Sequence, residues 1–286
     1  SYGFRPGRGC KDALRRVAEL LSDGYVWVID ADLQGYFDTI PHDQLLEQVQ
    51  RKISDRRILS LIAAYLKQPI FDDLKEWTPE EGTPQGAVLS PLLANIYLDP
   101  LDHLMADSGF QMVRYADDFL ILCRSRHEAA TALEMIREWT AKAELILHPD
   151  KTCVVNASER GGFDFLGYHF ERGMHWPSQK ARAQLKEKMR PLTKRTNGTS
   201  LNCIIGQVNP VLSGWFEYFK HGRPYDLPHL DGWVRMRLRS ILRKRRKRQG
   251  RGRGKDHQRW PNAFFAEHGL FSLSTAHAEA SQSAWR

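Results

Sequence analysis

MVRYADDFLILC, residues 112–123, is the stretch whose reading decides the fold. Met112, Val113 and Tyr115 precede the pair Asp117-Asp118, and the apolar run of residues 119–123 follows it. Apolar, β-branched and aromatic runs on both sides of a polar pair predict strand–turn–strand, with the two carboxylates at the hairpin tip. Adjacent carboxylates repel each other unless a cation neutralises them. For a lone Asp-Asp pair, an Asx turn closing the hairpin is the plainer alternative.

Two further strings set that alternative aside. Residues 32–38 (DLQGYFD) follow a short aromatic and β-branched run over residues 25–29, which predicts a strand. Residues 82–86 (GTPQG) form a loop that leads into a largely apolar helix from about residue 90 to 104, with Pro91 in its first turn. A carboxylate at the end of another strand can complete a site for hard cations with the pair at the tip. Mg²⁺ takes oxygen ligands, few of them from protein, and leaves the rest to phosphate and water. Two such ions about 3.5–4 Å apart suit in-line nucleotidyl transfer, one activating the attacking hydroxyl and one stabilising the leaving pyrophosphate.

Around these strings the chain alternates helices and strands. Residues 11–21 carry Ala13, Leu14, Val17, Ala18 and Leu21 at helical spacing. Pro41 and His42 open a helix to about residue 52, and Asp55 caps another to about residue 66. Residues 128–142 are helical. Residues 145–147 and 152–155 read as strands around a His148-Pro149-Asp150 turn, and residues 163–170 as a further strand or hairpin arm. Beyond Trp176, amphipathic helices are expected over residues 181–192, 201–219 and 230–247. Three regions result: 1–172, 178–248, and a basic linker and C-terminal tail at 249–286.

The 286 residues are 42% apolar and 10% aromatic, which excludes a wholly disordered chain. No stretch approaches the roughly 18 apolar residues of a membrane span. No signal peptide is visible, so an intracellular, cytoplasmic location is expected. Cys10, Cys123, Cys153 and Cys203 are scattered with no Cys-x-x-Cys pair, so buried reduced thiols are expected rather than zinc or disulfides. His42, His148 and His169 have no partners at ligand spacing and read as structural.

The net charge of +8 is unevenly placed. Residues 1–170 hold 18 Lys/Arg against 26 Asp/Glu, and residues 171–286 hold 24 against 8. The densest part, residues 235–259, has 13 Lys/Arg and one acid, Asp256. A basic half joined to a mildly acidic half fits a catalytic body with a polyanion-binding appendage.

Taken together, the strings resemble the reverse transcriptases of bacterial group II introns. The matching blocks are residues 1–14 (SYGFRPGRGCKDAL), 27–46 (WVIDADLQGYFDTIPHDQLL), 82–98 (GTPQGAVLSPLLANIYL), 114–119 (RYADDF) and 147–152 (LHPDKT). Phe165-Leu166-Gly167-Tyr168 is similar to the seventh block of the family, and residues 197–222 to its maturase, or thumb, domain. The fold implied is mixed α/β (α+β): a right-hand polymerase palm with partial fingers, then an α-helical thumb.

The resemblance implies site residues one by one. Asp32 and Asp117 would hold the metals, with Asp118 close by and the Leu33 carbonyl as a further ligand. Phe37 would stack under the incoming sugar and exclude a 2′-hydroxyl; plain core packing is its alternative. Gln85 would hydrogen-bond the nucleotide or template, and Gly86 would allow close approach. Lys151 would be the acid at the leaving pyrophosphate, a solvated surface lysine being the alternative. Arg114 contacts either nucleic acid or a neighbouring carboxylate. Arg243, Lys244, Arg245, Arg246, Lys247 and Arg248 would bind RNA phosphates.

The implied cofactors are two Mg²⁺ ions, with Mn²⁺ as the alternative. Intron RNA as template, a DNA primer and deoxynucleoside triphosphates are the implied partners. The implied activity is RNA-directed DNA synthesis with a maturase role in intron splicing and mobility. Relatives carry further blocks ahead of the first seen here, so a missing N-terminal fragment and a chain of reduced activity are expected. The rivals are a splicing-only maturase, an inactive remnant, and a domesticated or defence-type reverse transcriptase.

Overall fold

A computed structural model describes residues 1–68, 70–72, 75–77, 81–84, 87–250 and 254–283. The chain divides into two compact units. One is Ser1–Leu166 with Glu171–Gly173, and the other is Gly167–Phe170 with Met174–Arg286. Among the described residues no helix is long and apolar enough to cross a membrane.

The first unit runs α1 (Cys10–Ser22), β1 (Trp27–Ala31), a 3₁₀ turn (Tyr36–Asp38), α2 (His42–Gln50), α3 (Arg56–Leu66), β2 (Ile70–Asp72), β3 (Lys75–Trp77), α4 (Ser90–Asp107), β4 (Gln111–Tyr115), β5 (Asp118–Cys123), α5 (Arg126–Lys142), β6 (Cys153–Asn156) and β7 (Phe163–Phe165). Its central sheet has the order β4-β5-β1-β6, antiparallel throughout, with Ala31 opposite Phe119 and Tyr115 opposite Asp118.

Strand alternation gives that sheet two faces. Ile29 and Ala31 of β1 and Phe119 and Ile121 of β5 join a core with Leu45 of α2, Leu98 of α4 and Ile136 of α5. Val28, Asp30 and Leu120 take the opposite face. On α1, Ala13, Val17 and Leu20 are buried at helical spacing, and the helix packs on β4. Side-chain caps start the helices where the sequence places them. Asp55 accepts from Arg57 N at 2.7 Å at the head of α3, and Ser125 accepts from Glu128 N at the head of α5.

The second unit holds β8 (Tyr168–Glu171), β9 (Met174–Pro177), α6 (Gln179–Leu192), α7 (Leu201–Phe219), α8 (Leu227–Arg245), α9 (Lys255–Arg259), α10 (Asn262–Glu267) and α11 (Leu273–Ser283). Ser178 and Ser200 cap α6 and α7. Leu185, Ile204, Val208, Val234 and Leu238 centre its core.

Several expectations are corrected. Residues 254–283 are not a tail: Trp260, Phe265 and Leu273 are buried in the core with α7 and α8. Buried Asp231 accepts from Leu273 N and Ser274 N at 2.9 and 3.0 Å, anchoring the start of α11. The division between units falls at 166/167, with residues 171–173 returning to the first, rather than at 172–178. Residues 145–147 form no strand. Leu147 makes a single bridge to Leu33, and Pro149, which has no N–H to offer a ladder, follows at once. Of the four thiols only Cys123 is buried, and Cys153 and Cys203 are exposed. Of the expected linker and tail at 249–286, residues 251–253 and 284–286 lie outside the described residues.

Candidate active site

The β4–β5 hairpin and the end of β1 bring two carboxylates together. β1 ends at Ala31, opposite Phe119, so Asp32 leaves the sheet beside the turn that carries Asp117. Burial raises the Asp117 carboxyl above its ordinary pKa; a backbone hydrogen bond lowers it, and the charge of Asp32 raises it further. Asp118 opens β5 and pairs with Tyr115. Among the described residues no group of three or more His, Cys, Asp and Glu side chains is gathered in ligating geometry; Asp118 follows Asp117 directly at the end of the hairpin turn.

Leu33 lies on the same rim. His148 N donates to Asp32 O and Gln34 N to Ile146 O, both at 2.8 Å. In that antiparallel pattern Leu33 is the non-hydrogen-bonded partner of Leu147, so its own carbonyl faces away from Leu147, toward the β5 side of β1. Its side chain is buried. Two neighbouring carboxylates, with a backbone carbonyl on their side of the strand, form a hard-oxygen set. That set fits Mg²⁺, which draws only a few ligands from protein.

Lys151 Nζ donates to Asp32 Oδ2 at 2.6 Å, with the lysine side chain 62% exposed. The lysine is thus paired with a site carboxylate rather than solvated alone. Asp30, one turn of the pleat before Asp32, is pushed up to about 6 by burial first, then by the charges of Asp32 and Asp164. The sheet face leading to the site thus adds a third carboxyl, one that keeps its proton to higher pH than a free aspartate.

Phe37 sits half-buried in the 3₁₀ turn, edge-on to Tyr36 at 5.5 Å between centroids, and packs against the core. Its carbonyl accepts from Thr83 N at 2.6 Å. The start of the 82–86 loop is pinned to this turn from several sides. Gly82 N donates to Ile40 O at 2.8 Å, His42 Nε2 meets Gly82 O at 2.7 Å, and Ser90 Oγ donates to Pro84 O at 2.6 Å. Gly82 has φ +86, and a Cβ there would fall 2.7 Å from Asp38 O, so only glycine permits this docking. Gln85 and Gly86 lie outside the described residues. Thr83 and Ser90 were missed by sequence reasoning; His42, read as structural, is one of the pins.

Arg114 is decided in favour of the carboxylate. It is 2% exposed, and its guanidinium forks onto Asp102 at 2.8 and 2.5 Å. Asn95 and Asp102 went unnoticed in the sequence, although seven residues is two helical turns and places both on one face of α4.

In the second unit the basic segment is divided in its duties. Arg243 Nη1 donates to buried Asp256 at 2.5 Å and Arg243 Nε to Gln249 O at 2.7 Å, so this arginine is committed to the fold. Lys244, Arg245, Arg246, Lys247 and Arg248 are exposed. Arg245 donates to Thr199 O, Arg246 lies over the Trp260 ring at 5.6 Å, and Arg195 donates to Arg248 O at 2.8 Å. Carbonyl and ring partners leave the positive charge of these side chains uncancelled.

Residues 1–170 match the family model for reverse transcriptase (RNA-dependent DNA polymerase), and residues 182–260 match that for the group II intron, maturase-specific domain. Protein YkfC of Escherichia coli is 33% identical over 60% of this chain and 55% of its own length. The group II intron-encoded protein LtrA of Lactococcus lactis is 41% identical over 36% of this chain and 17% of its own length. The chain thus aligns with about half of the first relative and much less of the second. A solved telomerase from Candida albicans, in complex with a TWJ fragment of telomeric RNA, is 13% identical, covers 84% of this chain and 50% of that chain, and has a TM-score of 0.48.

Proposed function

This chain belongs to the reverse transcriptase (RNA-dependent DNA polymerase) family, and from that premise we propose that it extends a DNA primer on an RNA template using deoxynucleoside triphosphates, and that its second unit grips intron RNA. The observation that carries this reading is the meeting of Asp32 and Asp117 at adjoining strand ends, with the Asp117 carboxyl raised in pKa by burial and by its neighbour.

Asp32, Asp117 and the Leu33 carbonyl, with Asp118 close by, would hold two Mg²⁺ ions, Mn²⁺ being the substitute. The metal supplies charge stabilisation for the attacking 3′-oxygen and the departing pyrophosphate. The chain's own groups do the rest. Phe37 presents a ring beside the docked 82–84 loop, where it would press on the sugar. Lys151 Nζ lies next to Asp32 and would give a proton, or its charge, to the leaving phosphate. The exposed cations of residues 244–248 would take RNA phosphates, and the match of residues 182–260 to a maturase-specific domain supports intron RNA as the ligand.

Asp117→Asn tests the reading. The substitution keeps the size of the side chain and removes its charge. Primer extension should be lost, while RNA binding in filter retention stays within about threefold, because phosphate contacts carry the affinity. Extension at the wild-type rate would remove Asp117 from the chemistry. A splicing-only protein would give no extension from the wild-type chain either.

A further inference from the structure

We propose that Arg114 is a positioning residue that locks the peptide carrying Asp117, through Asn95 and Asp102 of α4; the proposal rests on the polymerase reading above. Four hydrogen bonds define the lock. Arg114 Nε and Nη2 donate to the two oxygens of Asp102 at 2.8 and 2.5 Å. Arg114 Nη1 donates to Asn95 Oδ1 at 2.9 Å and to Ala116 O at 2.8 Å.

The last contact is the informative one. Ala116 O belongs to the peptide plane whose nitrogen is Asp117 N, so the guanidinium sets the orientation of the link into the site. Ala116 has φ +58, the left-handed region that residues other than glycine seldom adopt. Such a conformation persists only where the surroundings over-determine it. Here they do so from two sides. On one side stands the buried guanidinium. On the other, Tyr2 N donates to Arg114 O at 2.7 Å and Asn95 Nδ2 donates to Gly3 O at 2.9 Å. A Cβ on Gly3 would fall 2.6 Å from Ala116 N, so residues 2–3 lie directly on the turn. Asn95 thereby serves both sides with one amide.

A planar fork is needed for this geometry. Lysine at position 114 would keep the charge and could reach one acceptor, but could not bridge Asp102, Asn95 and Ala116 O together. Arg114 also opposes, by its charge, the rise in the Asp117 pKa. It is not itself placed to touch substrate, because it is buried under the turn.

The test compares the full wild-type chain with Arg114→Lys and Asn95→Ala. Hydrogen exchange of residues 115–118 is read without metal or substrate, beside the melting temperature, the primer–template Kd, and the kcat and KM for nucleotide addition. In Arg114→Lys, exchange of the turn should quicken at least about tenfold while α5 is unchanged. Its kcat should fall by about ten- to a hundredfold with KM and Kd within about threefold, the signature of a misplaced catalytic group. Asn95→Ala should move the same two readouts less, by about threefold, since it removes one acceptor of Arg114 and the donor to Gly3 O but leaves the fork on Asp102 and the bond to Ala116 O.

A folded Arg114→Lys with wild-type turn exchange, or with wild-type kcat, overturns the proposal. So does a parallel fall of melting temperature, kcat and Kd, which marks a general structural role. If Arg114→Lys does not fold, Asn95→Ala decides by the same readouts. A wild-type chain that extends no primer sinks the polymerase reading, whereas the turn exchange still decides whether Arg114 holds Asp117.

Discussion

Phe37 and Asp30 show how one side chain's surroundings set its role. Phe37 is neither free nor fully buried: one edge packs on Tyr36 and the core, and its backbone carries the 82–84 loop. Phe37→Ala should therefore leave the turn in place, because Thr83 binds a carbonyl that alanine keeps. Ribonucleotide incorporation should rise relative to deoxyribonucleotide by about tenfold or more, the ring being the group proposed to clash with a 2′-hydroxyl. Competitive single-nucleotide insertion measures it, and an unchanged ratio returns Phe37 to ordinary packing. Asp30 makes a different prediction. Its pKa is about 6 in the folded chain against 3.8 for the free group. The folded state therefore holds the proton more tightly, and stability falls as pH rises from about 4 to about 6. Asp30→Asn should be the more stable protein above pH 6, by about 3 kcal/mol, and equal to wild type below about pH 4. Urea titrations in EDTA between those limits check this; parallel stability curves would sink it.

Among the elements, α9 to α11 change most in meaning. Read from sequence they follow a Gly- and Arg-rich stretch and suggest an appendage. In the fold, Phe265 is fully buried, with the Arg239 guanidinium 5.1 Å from its ring centroid. Arg239 is itself 2% exposed and donates to Trp260 O at 2.9 Å and Asn262 Oδ1 at 2.8 Å. These contacts make α10 part of the floor under α8. Phe265→Ala should cost about 3–5 kcal/mol in the unfolding of the second unit. Urea unfolding followed by tryptophan fluorescence reads the loss, and a cost under about 1 kcal/mol would show that the helix is peripheral. Periodicity did mark the first three helices of this unit: α7 spans residues 201–219, as its apolar spacing predicts. What periodicity lacks is the partner of each face. Short helices such as α10, six residues long, carry too few turns to display a stripe.

Over the whole molecule, charge separates along the chain. Residues 1–170 bear the surplus of acid and residues 171–286 the surplus of base. Binding to RNA is accordingly expected to depend on salt through the second half. Replacing Lys244, Arg245, Arg246, Lys247 and Arg248 with Gln, and sparing Arg243 for its bond to Asp256, should weaken binding to RNAs of unrelated sequence alike. The log–log slope of affinity on salt should flatten by about four units, the release expected for five phosphate contacts. A slope unchanged from wild type would make the segment a bystander. Sparing Arg243 matters because its loss would remove an ion pair from buried Asp256 and confound binding with unfolding.

Local chemistry was legible without the fold. Apolar alternation around Asp117-Asp118 and the cap at Asp55 each depend on residues near in sequence, so their outcome can be read there. The meeting of two of the site's carboxylates and the Leu33 position beside them were expected from the order of the strings and the resemblance they carry. Only the tertiary structure decided which distant groups meet. Lys151 reaches Asp32 across 119 positions, and residues 2–3 lie on a turn at 116. Arg114 turns inward to α4 instead of outward to nucleic acid, Arg243 inward to Asp256, and the last three helices join a core. Each of these pairings is a choice among several partners of like chemistry, made by packing. A buried charge must find a partner within hydrogen-bond reach, and which one lies within reach is set by how sheet and helices stack, not by the residue itself.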